Sequence, residues 1–178
     1  MRPRTPWIVL FLTGCALAFG RSAQNSKPVN FPTITSYSLD KQKITLPGEM
    51  AGQTDLLILS FEPEQKNDVD SWLSAAQALQ HSNFQFRYYE LPISAKENFV
   101  FRWWETSSMR NDETDPVMWH WIVPLFVDRQ KFLKDLDIPN EKQVIVLLAD
   151  RQGHVLWRSS GSMNQDKRAS LMAAASPH

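Results

Sequence analysis

Residues 55–61, Asp-Leu-Leu-Ile-Leu-Ser-Phe, form a continuous apolar run of the kind carried by a strand buried on both faces. Glu62-Pro-Glu-Gln-Lys66 breaks it, and from Asp68 the apolar residues return at Val69, Trp72, Leu73, Ala76 and Leu79. That spacing predicts a helix with one buried stripe, capped by Asn67 or Asp68. Upstream, 37–46 reads as a small hairpin turning at Asp40 to Gln42 and ending before Pro47-Gly48. Downstream, 84–91 alternates aromatic and polar positions and predicts a strand bounded by Asn83 and Pro92. Ser94-Ala-Lys-Glu97 has the spacing of a capping box, which predicts a helix carrying Phe99, Val100, Phe101, Trp103 and Trp104.

The polar stretch 106–116 reads as a loop. Met118 to Val127 has strand composition, with Pro124 calling for an edge position or a bend. Asp128 is placed to cap a helix whose apolar side is Phe132, Leu133 and Leu136, ended by Ile138-Pro139. A second apolar strand, 144–150, turns at Asp-Arg-Gln-Gly153 and returns through Val155-Leu-Trp157. Ser162-Met-Asn-Gln165 offers a capping box for a last helix through Leu171 and Met172. Strands and helices in this order predict an α/β domain with a mixed sheet.

Composition changes the picture mainly at the N-terminus. Arg2 and Arg4, the apolar stretch 7–13 and the small residues of 14–20 have the layout of an export signal. Leu12-Thr13-Gly14-Cys15 resembles a lipoprotein box, with Cys15 as the lipidation candidate, and Ala16-Leu17-Ala18 resembles an ordinary signal-peptidase site. Either reading predicts a domain outside the cytoplasm, periplasmic or at the cell envelope. Residues 21–35, polar with Pro28 and Pro32, are expected to tether it, leaving 36–178 as the folded domain. Basic and acidic residues balance at 19 each. Without the first twenty residues, which hold two basic and no acidic groups, 17 stand against 19, a formal charge of −2. No electrostatic footprint for nucleic acid is present.

The strand 55–61, the helix through Trp72, and Leu147-Leu-Ala-Asp-Arg-Gln-Gly-His-Val-Leu-Trp157 followed by Gly161 resemble the thioredoxin-like fold of the periplasmic thiol oxidoreductase and peroxiredoxin branch. The resemblance implies a three-layer fold, a central mixed sheet flanked by helices. It also implies a cysteine pair near Lys66 and Val69 and a cis-proline before the strand at Val144. Neither is in the sequence: Cys15 is the only cysteine, Val144 takes the proline's place, and Pro139 lies too far upstream. Dithiol and peroxidase chemistry needs a reactive thiolate, so a non-redox member is expected. The aromatic-rich insert before the penultimate helix, the helix ending at Leu136-Asp-Ile-Pro139 and the strand ending in Trp157 also resemble the mitochondrial ATP synthase assembly factor family. That resemblance implies a binding or assembly role.

Other chemistry is weaker. There is no Gly-x-Ser-x-Gly around Ser60 and no phosphate-binding glycine loop. Asp112, Glu113 and Asp115 read as a solvated run. Met118 and His120 would share one face of a strand, and thioether with imidazole suits copper, so a copper-handling protein is the alternative. Trp103, Trp104, Trp119 and Trp121 flank a loop containing Met109 and Arg110, residue types that build either a core or a partner surface. The function expected is protein binding at the envelope, with an envelope or membrane protein as partner, no cofactor and no catalytic residue.

Overall fold

The computed structural model describes residues 28–95, 109, 110, 113 and 115–176. Its centre is a five-stranded sheet in the order β5-β4-β3-β6-β7, built from β3 (Thr54–Ser60), β4 (Phe86–Ala95), β5 (Leu125–Val127), β6 (Ile145–Asp150) and β7 (Val155–Ser160). β4 runs parallel to both β3 and β5, and β6 antiparallel to β3 and β7. The sheet is mixed, as the element order implied. β3 is central and buried on both faces. Leu57 and Leu59 join one cluster, Leu56 and Ile58 the other.

Helix α1 (Lys66–Ser82) and helix α3 (Gln165–Ala174) cover the second of those faces. The α1 stripe buries Val69, Trp72, Ala76 and Leu79 against Phe86, Tyr88 and Val146. Trp72 is fully enclosed, meets Trp157 edge to face at 6.1 Å, and donates its indole N–H to Gly161 O at 2.9 Å. Burying a side chain of this size stabilises the domain by roughly 2–3 kcal/mol, and the carbonyl satisfies its one donor. The other face is covered by the separate hairpin β1 (Ile34–Tyr37) and β2 (Lys43–Leu46), and by α2 (Arg129–Asp135). Asp128 caps α2 by accepting from Lys131 N–H, and Phe132 and Leu136 are buried, as the pattern indicated.

Several expectations are corrected. Phe31 is 3% exposed, packs edge to face on Phe132 and pairs its N–H with Gly153 O, so part of the stretch 21–35 assigned to a tether belongs to the domain. A 3-10 turn at Pro63–Gln65 leads into α1, and neither Asn67 nor Asp68 caps it. Ser94 lies in β4 opposite Phe126, so long-range pairing overrides the capping box; the helix expected to follow, with Trp103 and Trp104, lies outside the described residues. β4 continues through Pro92, which faces Ser60 at the last step of the β3 ladder, one residue before pairing with β5 begins at Ile93. A missing N–H is tolerated at that changeover. Met118–His120 is a 3-10 turn; of the expected strand, Ile122 makes an isolated parallel bridge to Glu90 and 125–127 form β5, at the sheet edge where Pro124 placed it. Asn164, not Ser162, caps α3.

Among the described residues the buried polar side chains are Ser38, Asp55 and Gln65. Asp55, at the start of β3, is fully buried; its Oδ1 accepts from Gly52 N–H at 3.0 Å, and its Oδ2 has no partner among the described residues. Gly52 is required there by close approach: a Cβ would come within 2.8 Å of that Oδ1 and 2.7 Å of Gln85 O. Arg151 closes the loop by donating to the carbonyls of Gly52 and Ala51.

Candidate functional site

The carboxyl end of β3 delivers the chain to the loop and first turn where the resembled family carries its cysteines. Here Lys66 makes an exposed ion pair with Asp70 at 3.0 Å, and Val69 is buried among the α1 contacts. The loop is tied to its surroundings by two side chains. Gln65, 8% exposed, accepts from Phe61 N–H at 2.8 Å and donates to Glu141 O at 2.7 Å. Arg129, at the first position of α2, donates to Phe61 O and Glu62 and contacts the Glu141 carboxylate. β3, the 3-10 turn, α2 and the segment before β6 are thereby joined at one end of the sheet. Among the described residues the cis peptide bond is Leu46–Pro47, not one preceding Val144.

Close to that end lies Glu90, on the α1 face of β4 with Phe86 and Tyr88. Burial pushes its carboxyl up to about 7; Lys66 opposes the shift, while Glu113 and Asp70 add to it. Its Oε1 has no hydrogen-bond partner among the described residues. The signal was legible, because strict alternation from Phe86 puts Glu90 on the apolar side of the strand.

The tryptophan-flanked insert packs on the tip of the β1–β2 hairpin. Leu39 is 1% exposed, and its N–H points to the carbonyls of Trp119 and Ile122, at 3.1 and 3.0 Å. Arg110 donates to Leu39 O at 2.6 Å and lies with its guanidinium 5.9 Å from the Trp119 ring centre. Trp119 donates to Glu113 O, and Trp121 packs edge to face on Tyr89. Met109, Arg110, Trp119 and Trp121 are all half-buried, so each contributes to packing and keeps a face outward. Val117, 73% exposed beside them, is the large apolar residue most open to a partner among the described residues of the insert and was not singled out by the sequence pattern. Trp103 and Trp104 lie outside the described residues.

Met118 and His120 do not converge. Met118 turns toward the α1 layer, where Tyr88 donates to its sulfur at 3.8 Å. His120 turns toward the hairpin, its Nδ1 3.1 Å from Asp40 Oδ2 and its ring against Trp121. The expected shared strand face is replaced by a 3-10 turn that sends the two side chains apart. Among the described residues no three His, Cys, Asp or Glu side chains are grouped as metal ligands.

Neither a family model nor a curated protein matches the sequence. Solved structures do. A putative electron transport protein from Aquifex aeolicus has a TM-score of 0.62 at 12% identity, over 84% of this chain and 96% of its own. BsSco, of the Sco family of cytochrome c oxidase assembly proteins, has a TM-score of 0.57 at 15% identity, over 83% and 94%. The exposed lipoprotein thioredoxin of Streptococcus pneumoniae has a TM-score of 0.54 at 12% identity, over 80% and 98%. With the topology described above, these likenesses make the fold thioredoxin-like. At such identities they speak for the fold alone, and the narrower resemblance to the ATP synthase assembly factor family finds no support among them.

Proposed function

We propose that this chain is a non-redox thioredoxin-like domain of the cell envelope that binds another envelope or membrane protein through the insert around Trp119 and Trp121. The observation that carries the reading is the first turn of α1, where a surface lysine and a buried valine stand at the positions of the family's thiols. A fold without its thiols retains its surfaces, and the surface rich in Trp, Met and Arg is the insert, with Val117 protruding from it. The envelope location rests on the export-like segment at 1–20, and the exposed lipoprotein among the structural neighbours supports it.

The test is crosslinking of the tagged full chain in cells, followed by mass spectrometry of the membrane fraction. The expected result is near-stoichiometric recovery of one envelope complex, abolished by Val117→Asp with an unchanged thermal midpoint, because an exposed substitution alters stability by no more than about 0.5 kcal/mol. Recovery of nothing above background, or equal recovery with the variant, overturns the reading.

A further inference from the structure

We propose that the cleft between the hairpin tip and the turn at His120 receives a basic side chain of the partner. This rests on the protein-binding reading above and names the chemistry of what is bound. The cleft has a volume of about 440 Å³, and its walls include Asp40, Gln42, Lys43, Glu49, Tyr89 and His120. It adjoins the insert surface directly, since His120 belongs to the turn between Met118 and Trp121, and Leu39, next to Asp40, holds Arg110.

Three features suit a guanidinium or ammonium group. The first is charge: among the walls two carboxylates, Asp40 and Glu49, stand against one ammonium, Lys43. Burial raises the Asp40 carboxyl, but hydrogen bonds from Ser38, His120 and the Gln42 backbone outweigh it and hold the group below its ordinary value. It is therefore ionised at neutral pH. The second is preorganisation. Glu49 is fixed by accepting from Thr45 N–H, and Asp40 by Ser38 and His120, so little rotamer freedom is lost when a ligand arrives. The third is the rigidity of the floor and wall. Tyr89, 1% exposed, is held by the N–H of Ala51 at 3.0 Å, and the His120 ring is set at 89° to the indole of Trp121. With these rings held in place, an arriving cation meets the Asp40 and Glu49 carboxylates through charge-assisted hydrogen bonds.

Strand addition by a partner at this edge is disfavoured by the same residues. Thr45 has its N–H taken by the Glu49 carboxylate and its carbonyl by Glu49 N–H, so the outer edge of β2 is already capped there. A side chain entering the cleft is compatible with that cap.

The test is an NMR titration of the full chain with the peptide acetyl-Gly-Ser-Arg-Ser-Gly-amide, and with the same peptide carrying neutral citrulline in place of arginine. The expected result is saturable shifts of the amides of Gln42, Ala51 and His120 with the arginine peptide. Affinity should be about tenfold weaker for citrulline, because a hydrogen bond to a charged group is lost. Glu49→Gln, which keeps an acceptor for Thr45 N–H, should weaken the arginine peptide by a similar factor. Equal affinity for both peptides, shifts confined to other surfaces, or no shift at millimolar peptide overturns the inference. Because the titration needs no partner, its failure leaves the crosslinking result standing, and a failed capture with a successful titration overturns only the proposed function.

Discussion

Asp55 and Glu90 are carboxyl groups that the fold holds against their preference for water. Burial pushes Asp55 from 3.8 up to about 6, against the pull of Gly52 N–H, Arg151 and Arg87, and pushes Glu90 from 4.5 up to about 7. A carboxyl whose folded value is raised binds its proton more tightly folded than unfolded. Its contribution is therefore most favourable below the unfolded value and is lost as pH rises through the folded one. For Asp55 that window runs from 3.8 to about 6. Asp55→Asn keeps the acceptor for Gly52 N–H and removes the charge. The variant should be more stable than the native chain at pH 7.5 by on the order of 2 kcal/mol, and nearly indistinguishable from it at pH 4. Urea unfolding at the two pH values checks this; an equal difference at both sinks the account. Asp55 was read from the sequence only as the first residue of a strand, since nothing local indicated that the loop at Gly52 folds back to bury it.

At the scale of elements, the long pattern of α1 was legible because Val69, Trp72, Ala76 and Leu79 are buried and Leu73, half-buried, packs at the edge of the same cluster. Its beginning was misread because Pro63 starts a 3-10 turn that propagates into the helix before Asn67. Ser94-Ala-Lys-Glu97 fails as a cap for the opposite reason, since local capping is worth about 1 kcal/mol and pairing of 93–95 with 125–127 outweighs it. The Gln65 contact was invisible in sequence because its acceptor, Glu141 O, belongs to a distant segment. Its energetic role can be isolated. Gln65→Ala leaves the buried Phe61 N–H without its acceptor, at a cost of about 1–3 kcal/mol. The urea midpoint should fall accordingly with an unchanged slope, and a shift equivalent to less than about 0.5 kcal/mol would assign the loop's stability to Arg129 alone.

At the scale of the molecule, the order of strands and helices led to the correct fold class because β3 and β6 carry near-continuous apolar runs and α1 a clean stripe. What the sequence withheld was the placement of the hairpin. Residues 37–46 read as a hairpin, but nothing in them marks the insert around Trp119 as the surface they would meet. The same holds for the candidate site: the aromatic flanks were visible, whereas the cleft against Asp40 and the divergence of Met118 from His120 arise only from a 3-10 turn docked on a distant tip.

That docking orders events in time. A chain grows from its N-terminus, so the hairpin exists well before residues 119–122 are made, and until then Leu39 has neither its carbonyl acceptors nor its cover. The first of the described elements to be completed is among the last secured, as expected when a contact closes a long loop. Stalled chains ending before Trp119 should be cleaved by protease within the hairpin, and chains extended past Val123 should resist, with the change occurring over those few residues. A nascent domain of this design depends during that interval on whatever shields its exposed Leu39.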